Sequence, residues 1–172
     1  MWHNAKEVDD MKYVLLMRHA KSSWKDASLP DPLRPLSQRG KHDAPRMGKF
    51  LQEQGILLDA ILCSTAVRAR QTAAGLLKKY TFEGEVQYFD DLYQADPETI
   101  ISILNKLPEK VDAAMVIGHN PGMDDFLELV CDECGHMPTA SVAHIKYPIE
   151  HWLDLRTETL GELVHLWEPR EI

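Results

Sequence analysis

An α/β domain with a largely parallel sheet is the fold this sequence predicts, on three observations. Short apolar runs alternate along the chain with longer runs of helical periodicity. A helix-opening signal, a capping residue followed by proline, occurs twice, at Asp96-Pro97 and at Asn120-Pro121. The 172 residues, 44% of them hydrophobic, suffice for one core and show no repeat, low-complexity segment or linker.

Taken in order, the first strand is Tyr13–Met17 (YVLLM), which ends abruptly in Arg18-His19. A helix follows within Ser37–Gln54, where Met47, Phe50, Leu51 and Gln54 fall at 3.6-residue spacing although Pro45 and Gly48 weaken it. Ala60–Cys63 reads as the second strand and Ala66–Tyr80, rich in helix formers, as the second helix. Val86–Phe89 is the third strand. Asp96 then caps a helix whose apolar face is Ile100, Ile103, Leu104 and Leu107. Ala113–Ile117 is the fourth strand, and Asn120 and Pro121 open the next helix. SVAHIKY and GELVHLW supply two further strands. Residues 1–11 read as an N-terminal extension and 12–172 as the domain.

The formal net charge of -8 disfavours a nucleic-acid partner. No apolar run approaches the length of a membrane span, and MWHNAKEVDD lacks the apolar stretch of a secretory signal. With three cysteines, which cannot all pair with one another, a cytoplasmic protein with free thiols is expected. Oligomeric state is not legible.

Ligands of an open α/β sheet bind beyond the carboxyl ends of its strands. Polar residues recur at those positions. The first strand ends in Arg18-His19, the second in Cys63-Ser64-Thr65 before a helix carrying Arg68, and the fourth in Gly118-His119-Asn120-Pro121. Two guanidiniums and two imidazoles with no carboxylate set for a metal describe an anion site. The helices that open near Ser64 and at Asn120 are expected to add backbone donors. A neutral histidine nitrogen is a nucleophile toward phosphorus, so the set reads as phosphoryl transfer through a phosphohistidine.

At this point LLMRHAKS resembles the N-terminal signature of the histidine phosphatase superfamily, which is usually Arg-His-Gly. RHAKS with DPLRPLSQRG is similar to the small SixA-like phosphohistidine phosphatase branch. STAVRARQTA (Ser64–Ala73), VIGHNPGM (Val116–Met123), LYQADPETI and PTASVAHIKYPIEHW also resemble its blocks. The resemblance runs from Lys12 to near the C-terminus. It implies a mixed, mostly parallel sheet flanked by helices on both faces, with no metal and no organic cofactor. It makes His19 the nucleophile, Arg18 and Arg68 the phosphoryl clamp, and His119 a donor to the transferred group. His19 must then act as the neutral tautomer protonated at Nδ1. A backbone carbonyl is expected to hold that proton, and nearby cations to lower the ring's pKa.

Many superfamily members add a carboxylic acid that protonates the leaving group. One subgroup places it after the second histidine, where Asn120 stands here; for others the counterpart is near Asp91, which could equally be a solvated loop residue. Without that acid, phosphate monoesters are poor substrates. Phosphohistidine is different, because its imidazole can take a proton from water before it leaves. Lys21, Ser22 and Asn120 are candidate substrate-binding residues, against a solvated loop as the alternative for Lys21 and Ser22. Arg34 is assigned to fixing its loop. Cys131, Cys134 and His136 have metal-like spacing but make only three ligands, where a structural zinc takes four. His136 is otherwise a surface or core histidine, as are His42, His144, His151 and His165.

The sequence therefore points to a metal-independent phosphatase acting through phospho-His19, with a phosphorylated protein carrying phosphohistidine as substrate. The alternatives are a phosphatase of a small phosphate monoester, and a phosphate-binding module without turnover.

Overall fold

The structure, a computed structural model, describes residues 11–131 and 135–172, so the extension expected at the N-terminus lies almost wholly outside the described residues. Six strands form one sheet: β1 (Lys12–Arg18), β2 (Ala60–Ser64), β3 (Val86–Phe89), β4 (Ala113–Gly118), β5 (Val142–Tyr147) and β6 (Glu162–Trp167). Their spatial order is β3-β2-β4-β1-β5-β6. β3, β2, β4 and β1 run parallel, β5 pairs antiparallel with β1, and β6 pairs antiparallel with β5. The mixed sheet and its single domain agree with the expected fold class.

Alternation along β1 explains the two-layered core. Val14 and Leu16 face one side, where they join Ile100, Leu104, Phe126, Leu127 and Trp152. Leu15 and Met17 face the other, against Met47, Leu51, Ala69, Ala73 and Leu76. A strand buried on both faces reads as the unbroken apolar run seen in the sequence. The first layer is covered by α3 (Pro97–Leu104) and α4 (Gly122–Glu128), the second by α1 (Gln38–Glu53) and α2 (Val67–Leu76). Among the described residues no helix is long and apolar enough to cross a membrane.

Local chemistry sets most helix ends. The Ser37 side chain accepts from the Gly40 amide to open α1, and Asp96 accepts from the Thr99 amide at 2.8 Å to open α3. Gly48, a poor helix former, is needed where α1 crosses α2: a Cβ there would lie 2.2 Å from the Leu76 carbonyl oxygen. Two expectations are corrected. α2 stops at Leu76 rather than near Tyr80, because Lys78 and Lys79 switch to i→i−3 bonds and the Tyr80 hydroxyl turns to donate to the Ile56 carbonyl at 2.8 Å. α4 is not capped by Asn120: it opens at Pro121, after a cis Asn120–Pro121 bond, with no side-chain cap. The side-chain amide of Asn120 is turned instead toward the loop at Met137, so the cap expected from it does not form.

Candidate active site

Sheet register brings the predicted residues together. β2, β4 and β1 are neighbours, with Cys63 opposite Ile117 and Arg18 opposite Gly118, so the residues that follow each strand emerge side by side. The His19 amide continues the ladder by donating to the Gly118 carbonyl at 3.0 Å. The His19 and His119 rings consequently stand 5.0 Å apart, between centroids. Behind them the buried Thr72 hydroxyl on α2 accepts from the Ala20 amide at 2.9 Å and donates to the Arg68 carbonyl at 2.7 Å. That bridge fixes the His19 turn against the helix that carries Arg68.

The hydrogen bonds of His19 select its tautomer. Nδ1–H donates to the Ala20 carbonyl at 2.7 Å, as expected, and Nε2 accepts from Arg68 Nε at 3.2 Å. The free lone pair of the ring thus points at the guanidinium. The ring is held neutral, with its pKa lowered to about 4. Burial is the largest cause, ahead of the charges of Arg68, Arg18 and Arg34, and the Ala20 bond opposes them. The cations contribute as expected, and desolvation of a nearly enclosed ring does more.

His119 is neutral for the same leading reason, burial, followed by the proximity of His19 and Arg68, with its pKa at about 3. Its Nε2 lies 2.8 Å from Ser64 Oγ, which also accepts from the Ala66 amide at 3.3 Å. With the Ser64 hydroxyl as donor to Nε2, Nδ1 carries the N–H of the neutral ring. That atom is buried and has no partner among the described residues, and the same is true of Arg18 Nε. Two buried donors without acceptors suit an incoming anion.

Arg18 and Arg68 are held by different loops. Arg68 donates through Nη1 to the Asp31 carbonyl at 2.7 Å and through Nη2 to Asp31 Oδ2 at 2.9 Å. Arg18 Nη1 donates to the Met137 carbonyl at 2.8 Å and to His136 Nε2 at 3.0 Å. His136 Nδ1 lies 2.6 Å from Asp124 Oδ2, so its proton goes to that carboxylate and Nε2 is left to accept from Arg18.

The other predicted residues divide. Ser22 is buried and accepts from Arg34 Nη2 at 2.7 Å. Arg34 also donates to Asp31 Oδ1 at 2.8 Å and to the Ser23 carbonyl at 3.3 Å, in keeping with a loop-fixing role. Lys21 is exposed, and its carbonyl accepts from the Ser37 amide at 2.8 Å. Asn120 borders the site through the Met137 carbonyl, 3.4 Å from its Nδ2. Asp91 sits exposed on the turn Asp90–Leu92 and shares an open cavity with Asp96 and Glu98. From the loop after β3 it is Tyr93 that reaches the site: its hydroxyl donates to Asp31 Oδ2 at 2.5 Å and its ring edge meets His119 at 5.3 Å.

Asp31, Tyr93, Asp124 and His136 were thus missed by sequence reasoning. Of the metal-like trio, His136 serves the Arg18 wall, and Cys134 lies outside the described residues. The expectation of free thiols is met at buried Cys63 and corrected at Cys131, which is disulfide-bonded.

Comparison with known proteins agrees with this geometry. The family model described as histidine phosphatase superfamily (branch 1) matches residues 14–97. A protein of Mycobacterium leprae is 36% identical over 167 residues, which span 90% of this chain and 100% of that one. A candidate phosphohistidine phosphatase SixA from Nakamurella multipartitia superposes with a TM-score of 0.81 at 27% identity, covering 92% of this chain and 96% of the other. Another candidate SixA, from Agrobacterium tumefaciens, gives 0.77 at 28%, covering 92% and 98%. With motifs, fold and relatives in accord, this chain belongs to the histidine phosphatase superfamily.

Proposed function

We propose that the protein is a phosphatase that works through a phosphohistidine on His19 and takes its phosphoryl group from phosphohistidine on another protein. The observation that carries this reading is the His19 geometry: Nδ1 is tied to the Ala20 carbonyl while Nε2 faces the Arg68 Nε–H. A neutral ring with its lone pair beside a cation is a nucleophile placed where an anionic phosphoryl group would be drawn in. The resemblance to SixA proteins supports the choice of substrate.

In the first step His19 Nε2 forms a bond to phosphorus as the bond to the substrate's imidazole nitrogen breaks. Arg18 and Arg68 stabilise the charge on the equatorial oxygens, and the Nδ1–H of His119 donates to one of them. The departing imidazole is neutral once its other nitrogen has taken a proton from water, so no positioned acid is required. Water then attacks phospho-His19, which releases phosphate and returns the neutral ring. The cations that offset phosphoryl charge in this scheme are side chains of the protein itself, and no metal enters it.

The test is a side-by-side turnover assay, in EDTA, on a phosphohistidine-carrying protein and on a panel of alkyl phosphates. The expected result is preference for the phosphoprotein. Preference for an alkyl phosphate would overturn the assignment of substrate and turn attention to an acid such as Asp91.

A further inference from the structure

Several donors around the proposed phosphoryl site are already engaged by an anion, and that anion is the protein's own Asp31. Its Oδ2 accepts from Arg68 Nη2 at 2.9 Å and from the Tyr93 hydroxyl at 2.5 Å, and its Oδ1 accepts from Arg34 Nη1 at 2.8 Å. The partners differ in how firmly they are fixed. Arg68 is buried and anchored to His19, and Arg34 is buried with its remaining donors on Ser22 and Ser23 and its guanidinium carbon 3.1 Å from the Trp24 ring centroid. The Asp31 side chain is 39% exposed and stands on the short turn Asp31–Leu33, between Pro30 and Pro32. The donors belong to the wall, and the acceptor belongs to the rim.

A phosphoryl group offers the chemistry of a carboxylate, paired anionic oxygens that accept from guanidinium N–H and hydroxyl groups. Seated on the Nε–Nη2 edge of Arg68, it would compete for the Nη2 donor that Asp31 now uses. It would also meet the charge of that carboxylate at close range, an arrangement that favours departure of one of the two anions.

We infer that the Asp31 carboxylate occupies an oxygen position of the phosphoryl site, that an incoming phosphoryl group displaces it toward solvent, and that Arg34 and Tyr93 then bind the substrate's oxygens. This rests on the reading of His19 and Arg68 as the phosphoryl site. It gives the site two further binding residues and an internal competitor that an anion must outbid. The opposing account makes Asp31 a fixed strut that orients Arg68, and the two accounts differ in the sign of one effect.

The experiment is calorimetric titration of the full chain with inorganic phosphate and with orthovanadate, which needs no turnover. Asp31→Asn keeps the shape of the side chain and removes its charge. Exchange predicts binding about fivefold tighter than wild type, the scale of one half-exposed ion pair. Tyr93→Phe should bind about threefold more weakly, the loss of one hydrogen bond. Should Asp31→Asn fold poorly, Asp31→Ser makes the same test. In wild type, the Arg34 Nε–H resonance should also shift on saturation with phosphate. Equal or weaker phosphate binding by the Asp31 variants, or an unmoved Arg34 signal, overturns the exchange and leaves Asp31 a strut. Failure of wild type and variants alike to bind either anion overturns the phosphatase reading with it.

Discussion

The strand-end half of the pocket and its loop half are built in different ways. Arg18, His19, Ser64 and His119 stand together because β1, β2 and β4 are adjacent and in register. Asp31, Tyr93 and His136 arrive on three separate loops: side-chain hydrogen bonds tie Asp31 to Arg68 and His136 to Arg18, and Tyr93 is tied in through Asp31. A ladder buried on both faces can shift only by breaking the core, whereas each loop tie contributes about 1 kcal/mol. The difference teaches a division of labour. On the proposed function, the bond-making groups sit on the buried ladder, and the groups that set affinity sit on the loops.

The largest effect expected from this division is at the proposed nucleophile. His19→Ala should lower turnover about 10⁴-fold or more, measured as phosphate release, since no other group can take its place. Arg68→Ala should cost about 10²- to 10³-fold in kcat, the scale of removing one stabiliser of developing charge. A loss of that size from any loop residue would break the comparison.

pH dependence sharpens it. The His19 pKa is lowered to about 4, so its neutral form persists well below the ordinary histidine value. kcat/KM should hold its level from pH 7 downward and fall only as pH approaches 4; a fall centred near the ordinary value of about 6.5 would contradict the burial of the ring. The same shift fixes a stability change. A group with a depressed folded pKa contributes stability that is fully present above its unfolded value of about 6.5 and is lost as pH falls through about 4. Thermal melts across that window should show a smaller acid loss in His19→Gln than in wild type.

Smaller effects belong to the loops. His136→Ala removes one acceptor of Arg18 Nη1 and should raise KM about threefold with little change in kcat, because one tie of a half-buried arginine is lost while the Met137 carbonyl remains. Asp91→Asn should be the mildest, within about twofold on a phosphohistidine protein, as expected for an exposed carboxylate beside the site.

The same division explains what the sequence made legible. Arg18, His19, Arg68 and His119 could be found because they follow apolar runs, and position after a strand is a local property of the chain. α3 was equally plain, since Asp96, Pro97 and the isoleucines all report within a few residues of one another. Asp31 was hidden among prolines, where nothing local marks an acid that will meet an arginine 37 residues later. Tyr93 followed an acidic pair that drew attention to Asp91, and which of the neighbours turns inward depends on the turn at Asp90–Leu92. His136 was read with two cysteines, although its partners, Asp124 and Arg18, come from α4 and β1. The failed cap at Asn120 has the same origin, a side chain whose acceptor on the Met137 loop is distant in sequence.

One measurement tests the central claim most directly. Wild type and His19→Ala would be mixed with a ³²P-phosphohistidine protein, stopped within milliseconds in alkaline detergent, and mapped by peptide. The account predicts label on the peptide containing His19 in wild type and none on the variant, which should also fail to release phosphate. Label on another residue, or phosphate release by His19→Ala at the wild-type rate, would contradict it.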